Sequence, residues 1–165
     1  MIWSLVAMGK TTERWIQEGT AEYTRRLGHY TRFEYIELPD VKKLGAKATP
    51  EQVKAAEGEV WSKWLATTAT KSTAVDHLIL LDERGKSYTS MQFAAQVDRL
   101  NGRGLRHAAL CIGGPYGFPE DIRNRADAFL SLGPMTFSHQ MIRPFAAEQL
   151  YRAHTILKGE PYHHE

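Results

Sequence analysis

The chain has 165 residues, 42% of them hydrophobic, with 21 Lys and Arg against 19 Asp and Glu and a net charge of +2. That length and apolar content predict one domain, residues 1–165, with a core that needs no staples, and they argue against a second. The charge admits a nucleic-acid partner but falls short of the strongly basic pattern that would announce one, and the single cysteine excludes an internal disulfide.

Ile2 to Met8 reads as a first strand, closed by Gly9-Lys10. Thr11 or Thr12 is expected to cap a helix reaching about Leu27, with Trp15, Ile16, Gly19, Tyr23 and Leu27 on one face and Gly28 ending it. Thr31 to Leu38 alternates apolar and polar residues except at Ile36, and Pro39 stops it. Asp40 to Thr49 is a polar connection, and its Lys42, Lys43 and Lys47 read as a solvated loop rather than a phosphate grip. Pro50 opens a helix whose buried side is Val53, Val60, Trp61 and Trp64. His77 to Asp82 is a continuous apolar strand, followed by Glu83-Arg84-Gly85-Lys86. A helix from about Ser90 to Leu100 leads to the apolar run His107 to Ile112, and a short helix near Pro119 to Ala126 leads to a last strand, Phe129 to Leu132.

The final helix is expected to begin near Ile142 or to kink there. Pro144 has no N–H and disfavours helix at Arg143 unless it lies in the first turn. Beyond it Phe145, Ala146, Leu150, Ala153, Ile156 and Leu157 recur at helical spacing, as core, dimer interface or both. Alternating strands and helices with undiluted apolar strands predict an α/β fold, a mostly parallel sheet with helices on both faces. General topology rules would leave it unknotted. Cys111, inside an apolar run, reads as packing rather than a nucleophile. Met1 to Met8 is short and followed by a charged helix, so no signal peptide is expected; no segment approaches the roughly 20 apolar residues of a membrane span, and a soluble, cytoplasmic protein is expected.

Two loops carry the chemistry. Cys111 to Pro119 holds three glycines after one strand, and Leu132 to Phe137 follows the last strand across Gly133-Pro134. Each alone is ordinary strand-to-helix punctuation. Together they suggest one pocket, because ligands of parallel sheets bind beyond the carboxyl ends of the strands and glycines let a backbone approach them closely. A dinucleotide site needs three glycines after the first strand, where only Gly9 stands; a phosphate-binding loop ending in Gly9-Lys10-Thr11 lacks its first glycine, replaced by Ser4. The seven histidines offer no metal spacing beyond the adjacent His163-His164, so no metal is expected.

IGGPYG (Ile112 to Gly117), LSLGPMTFSHQMIR (Leu130 to Arg143), EQLYRA (Glu148 to Ala153) and GEPYHHE (Gly159 to Glu165) resemble, in that order, the motifs of the RlmH family, small SPOUT-class methyltransferases of large-subunit ribosomal RNA. The likeness extends to Val6-Ala7-Met8-Gly9-Lys10 and to Glu22 to Leu27, so it spans nearly the whole chain. It implies a SPOUT fold with a C-terminal trefoil knot, against the general expectation. It implies S-adenosyl-L-methionine as cofactor, held by Leu81, Gly113 and Leu132, Gly133, Pro134, Met135, Thr136 and Phe137. Leu81 also fits plain core packing. It implies methylation of N3 of a pseudouridine in 23S rRNA, within the assembled ribosome, by a homodimer whose C-terminal tail completes a composite site.

For that chemistry the imide proton must leave and the developing charge must be stabilised. Arg143, Tyr162, His163 and His139 are the expected catalytic residues, with Arg143 on the anion or a phosphate and Tyr162 and His163 closing over the base. His139 fits a helix-entrance role equally well, and Arg152 fits either the site or a pair with Glu148 four residues earlier. Ser138 stands where relatives often have proline. Other readings remain open: a non-catalytic ribosome-binding module that kept the fold, and a SPOUT enzyme acting on a transfer-RNA ribose.

Overall fold

Strands and helices alternate along the chain because apolar runs of four to six residues are separated by amphipathic segments. The elements are β1 (Ile2–Ala7), α1 (Arg14–Leu27), β2 (Arg32–Glu37), α2 (Pro50–Ala69), β3 (His77–Ser87), α3 (Ser90–Asn101), β4 (His107–Ile112), α4 (Glu120–Arg123), β5 (Ala128–Ser131) and α5 (Ile142–Leu157). The structure, a computed structural model, describes residues 1–41, 44–45, 47–70 and 73–164. Lys42 and Lys43 of the expected polar connection lie outside the described residues.

All strand pairs are parallel, in the order β2-β1-β4-β3-β5. Successive side chains point to opposite faces, and both faces are filled. Trp3, Leu5 and Ala7 of β1 join Ala108, Leu110 and Ile112 of β4 under α1, α3 and α5. Val6 and Met8 join Ala109 and Cys111 under Trp61 of α2 and Ile122 of α4. The mostly parallel, doubly covered sheet expected from the sequence is therefore present, and Cys111 is a buried packing residue whose thiol burial pushes well above its usual pKa.

Two expectations about α1 are corrected. Its N-cap is Glu13, not Thr11 or Thr12, and no side chain caps it. Thr11 is committed elsewhere: its N–H donates to Glu37 Oε1 at 2.8 Å and its hydroxyl also donates to Glu37. Trp15, expected on the buried face, is 56% exposed, while its neighbour Ile16 points inward. By contrast, α2 and α3 begin where propensity places them, each under a threonine whose side chain accepts from the N–H of a glutamine three residues on (Thr49 with Gln52, Thr89 with Gln92).

The strand β3 runs further than its apolar stretch. Leu130 of β5 pairs with both Leu81 and Lys86, so residues 82–85 bulge out of the ladder. At the base of this bulge a Cβ on Gly85 would lie 2.7 Å from the backbone of Leu130, so the two chain segments touch where a side chain has no room.

Helix α5 starts at Ile142, as Pro144 requires, with the proline in its first turn and packed against Gly19 of α1. It buries Ala146, Ala147, Leu150 and Ala153 but leaves Phe145 and Leu157 at the surface, so only part of the expected stripe is core of this chain. Its first turn is pinned by Arg143, whose exposure is 0%. Nη2 donates to Met8 O at 2.8 Å; Nη1 donates to Gly9 O at 3.1 Å and to Thr11 Oγ1 at 2.8 Å; Nε donates to His139 O at 3.1 Å. Glu37 Oε1 lies 3.6 Å away and supplies the counter-charge. One planar fork thus serves three carbonyls and the Thr11 hydroxyl, one acceptor more than the three donors of a lysine could satisfy. Replacing Arg143 by Met should cost about 3–5 kcal/mol, since Glu37 and those carbonyls lose their partner. Urea unfolding measures it, and a loss below about 1 kcal/mol would refute this role.

Candidate functional site

The carboxyl ends of β3, β4 and β5 open on a cavity of about 530 Å³. Leu81, paired with Ile112 on one side and Leu130 on the other, is the last ladder residue of β3 before the bulge. The chain leaves β4 at Gly113 and turns sharply through Gly114 to Gly117, closed by the Gly117 N–H donating to Gly114 O at 3.1 Å. A side chain has no room at Gly114, where a Cβ would run into the Glu57 carboxyl of α2.

Beyond β5, Ser131 Oγ accepts from the N–H of Gly133 at 3.2 Å and folds the chain back. Gly133 has φ +145, a conformation open to glycine and strained for other residues. Further on, Gln140 bridges to the β1–α1 turn, its Oε1 accepting from Thr12 N–H at 3.2 Å and its Nε2 donating to Lys10 O at 3.0 Å. The loop between these two fixings faces the glycine turn across the cavity. Thr136 Oγ1 reaches Glu83 Oε2 at 3.2 Å and links it to the β3 bulge.

Of the residues expected to hold a cofactor, Leu81, Gly113, Leu132, Gly133, Met135, Thr136 and Phe137 line this cavity. Pro134 does not; it lies at the surface and turns the backbone between two lining residues. Of the expected catalytic residues only His139 lines it. Burial, aided by the nearby Arg143 cation, holds the His139 imidazole below its usual pKa, so it is neutral at pH 7.

Arg143 does not line the cavity: its guanidinium is fully buried, with its donors turned to the carbonyls of Met8, Gly9 and His139. Tyr162 and His163 are likewise absent from the cavity wall. The tail folds back along α1 and α5 of its own chain. Tyr162 OH donates to Glu148 Oε1 at 3.1 Å and meets Tyr23 OH at 3.3 Å, while its ring packs edge-on against Tyr151, centroids 4.8 Å apart. Arg152 lies over the Tyr162 ring at 4.7 Å, pairs with Glu148 and sits 3.4 Å from His163 Nδ1. Burial, Tyr23 and Glu148 together raise the Tyr162 pKa, so its hydroxyl stays protonated and acts as a donor rather than a base.

The charged wall of the site escapes a reading of the sequence. Asp82, Glu83 and Arg84, in sequence no more than the polar end of an apolar strand, line the cavity from the bulge. Asp82 pairs with Arg123 of α4 and with Arg84 at 3.3 Å; burial pushes its carboxyl up, but the Arg84 N–H and the two guanidinium groups outweigh this and hold it below the usual carboxylate range. Glu57 escapes it too, although helical spacing puts it on the stripe of Val53, Trp61 and Trp64. That signal, a carboxylate on an apolar face, could have found it. It is 5% exposed and its Oε2 has no partner. Burial lifts its carboxyl to about 7. Among the described residues no group of three His, Cys, Asp or Glu side chains is arranged to hold a metal, and no helix is long and apolar enough to cross a membrane.

Comparison with known proteins agrees with this geometry. Residues 1–163 match the family described as "Predicted SPOUT methyltransferase". The chain is 46% identical over 162 residues to the ribosomal RNA large subunit methyltransferase H of Porphyromonas gingivalis, covering 98% of each chain. It is 44% identical over 160 residues to the protein of that name from Christiangramia forsetii, covering 97% of each. In fold it resembles a probable methylase family protein from Haemophilus influenzae, with TM-score 0.52 at 10% identity over 99% of this chain and 70% of that one. A probable methyltransferase from Bordetella pertussis gives TM-score 0.52 at 15% identity over 93% of each chain. With its parallel sheet, its cavity at the ends of β3, β4 and β5, and relatives matched along nearly their full length, the chain belongs to the SPOUT methyltransferase family.

Proposed function

We propose that this protein uses S-adenosyl-L-methionine to methylate N3 of a pseudouridine in large-subunit 23S ribosomal RNA. The observation that carries the reading is the convergence of the Gly113 and Gly133 turns on one cavity. Its volume suits a ligand of that size, since such pockets commonly run about 300–1,000 Å³. The residues present fit the donor: Leu81, Ile112 and Leu132 offer apolar walls, the glycine turn leaves its backbone bare, and the unpartnered carboxyl of Glu57 lies directly behind it. The donor supplies an electrophilic methyl group; the chain's part is to hold it, orient the base and take a proton. The names of the relatives support the ribosomal acceptor.

On the acceptor side, N3 must lose its proton before or during transfer. His139 is neutral at pH 7, lines the cavity and is fixed through its carbonyl by Arg143, so it serves as the proton acceptor. Arg143 acts as a positioning residue in this scheme. Tyr162 and His163, which do not reach the cavity of their own chain, complete the cavity of a partner in a homodimer. The exposed apolar surface beside the site supports that assembly. Phe137 and Phe145 pack with centroids 5.8 Å apart, and Met141 stands one turn before Phe145, all about 40% exposed or more. The reading carries a C-terminal trefoil knot as well, supported by the close backbone approach of Gly85 to Leu130 and by the return of α5 from beyond β5 to pack on α1 and α3. Cytoplasmic residence follows from a ribosomal substrate.

Mass spectrometry of ribosomal RNA from cells lacking the gene should show one pseudouridine without its methyl group, and an unchanged modification profile would overturn the assignment. Calorimetry on the purified protein should detect donor binding that falls at least about fivefold in Gly133→Val, where nothing crowds a new side chain but φ +145 penalises it by about 1–3 kcal/mol. Unchanged affinity would remove the Gly133 turn from the site. Tyr162→Ala should keep donor binding within about twofold and lose methyl transfer by at least about 100-fold, the order of effect of one catalytic contact; full activity would exclude the tail.

A further inference from the structure

The proposed mechanism gives no chemical step to the buried carboxyl that lies behind the glycine turn. Glu57 is held on α2, one turn before Trp61 and against the glycine turn, 5% exposed. Its Oε1 sits where a Gly114 side chain would be, and its Oε2 has no hydrogen-bond partner. Gly114 in turn lines the cavity, so a single layer of backbone separates this carboxyl from whatever occupies the site. A buried carboxyl without a partner destabilises the fold, and an apolar or amide side chain would suit that spot better if packing were its only purpose.

From this juxtaposition we infer that Glu57 is the charge partner behind the glycine turn by which the cavity tells a cationic methyl donor from its uncharged-sulfur product. The inference rests on the methyl-donor reading above and adds a specificity-determining residue to it. A sulfonium in the cavity attracts the ionised carboxyl across one backbone layer, in surroundings too dry to screen it. The thioether left after transfer offers no such attraction. S-adenosylmethionine binding therefore draws a proton off Glu57 into solvent; once the sulfur is neutral, Glu57 takes a proton back, and the product is held less tightly than the donor.

The pH dependence has a definite sign. Burial alone raises the Glu57 carboxyl to about 7, so the empty site holds it mostly protonated below neutrality. Donor affinity then rises with pH through that range, and product affinity does not. Asp121 of α4, near Gly58, Lys54 on the preceding turn of α2, Tyr116 in the glycine turn and the Asp82, Glu83, Arg84 and Arg123 wall all remain in Glu57→Gln, so whatever preference they give the cation over the thioether appears in both proteins and cancels in the comparison. His139 can become cationic at low pH and weaken donor binding, so it needs its own control.

Calorimetric titration with S-adenosylmethionine and with S-adenosylhomocysteine, from about pH 5.5 to about pH 8.5, isolates the sulfonium because the rest of the two ligands is shared. The ratio of donor to product affinity should climb several-fold through neutrality in the unaltered protein and in His139→Asn, and stay flat in Glu57→Gln. A flat ratio in the unaltered protein, or the same climb in Glu57→Gln, overturns the proposal. Carbon-13 spectra of the Glu57 carboxyl, which need no variant, should show its pKa lowered by donor and not by product; equal shifts with both ligands overturn it as well. If neither ligand binds the unaltered protein, the methyl-donor reading fails and takes the proposal with it, an outcome distinct from binding without discrimination.

Discussion

A guanidinium that never meets water holds this fold at the point where its function is assembled. Arg143 stands in the first turn of α5, yet its donors end on the carbonyls of Met8 and Gly9, at the far end of the sequence, and on His139, four residues before it. Burying a cation is costly unless its geometry and counter-charge are both right. Here Glu37 supplies the charge, and Thr11 relays between the two. Because the fork fixes the β1 turn, the entrance to α5 and the carbonyl of His139 together, the cavity wall inherits its shape from a residue that does not touch the cavity.

Most of the fold was legible because its signals are local. Period-two burial in β1 and β4, the capping boxes at Thr49 and Thr89, and the demand of Pro144 for a first-turn position each depend on neighbours within a few residues. The start of α1 was not legible. Thr11 has the side chain of a cap, but tertiary partners claim it, and local propensity yields to a network that spans the chain.

The candidate site divides along the same line. Both glycine-bearing turns could be read from the sequence, and they do converge. An arginine just after a ligand loop invites a task at the substrate, whereas the Arg143 side chain points the other way into the core. The charged wall of Asp82 to Arg84 depends on a register shift against Leu130, which no strand pattern reveals. Family likeness puts Tyr162 and His163 near the chemistry, and in the single chain they lie along α5 instead. Under the proposed homodimer they would meet the cavity of a partner, a placement that no pattern within one chain encodes.

The loop that crosses the cavity is moored at Ser131 on one side and at Gln140 on the other, with Thr136 tied lightly to the β3 bulge between them. Ser138 and His139 belong to the second mooring, since their carbonyls accept from the Ile142 N–H and from Arg143 Nε, so the span that can give way is only 132–137. Guests can thus be admitted and discharged by a small local excursion, at a fraction of the free energy needed to loosen the sheet or lift α5.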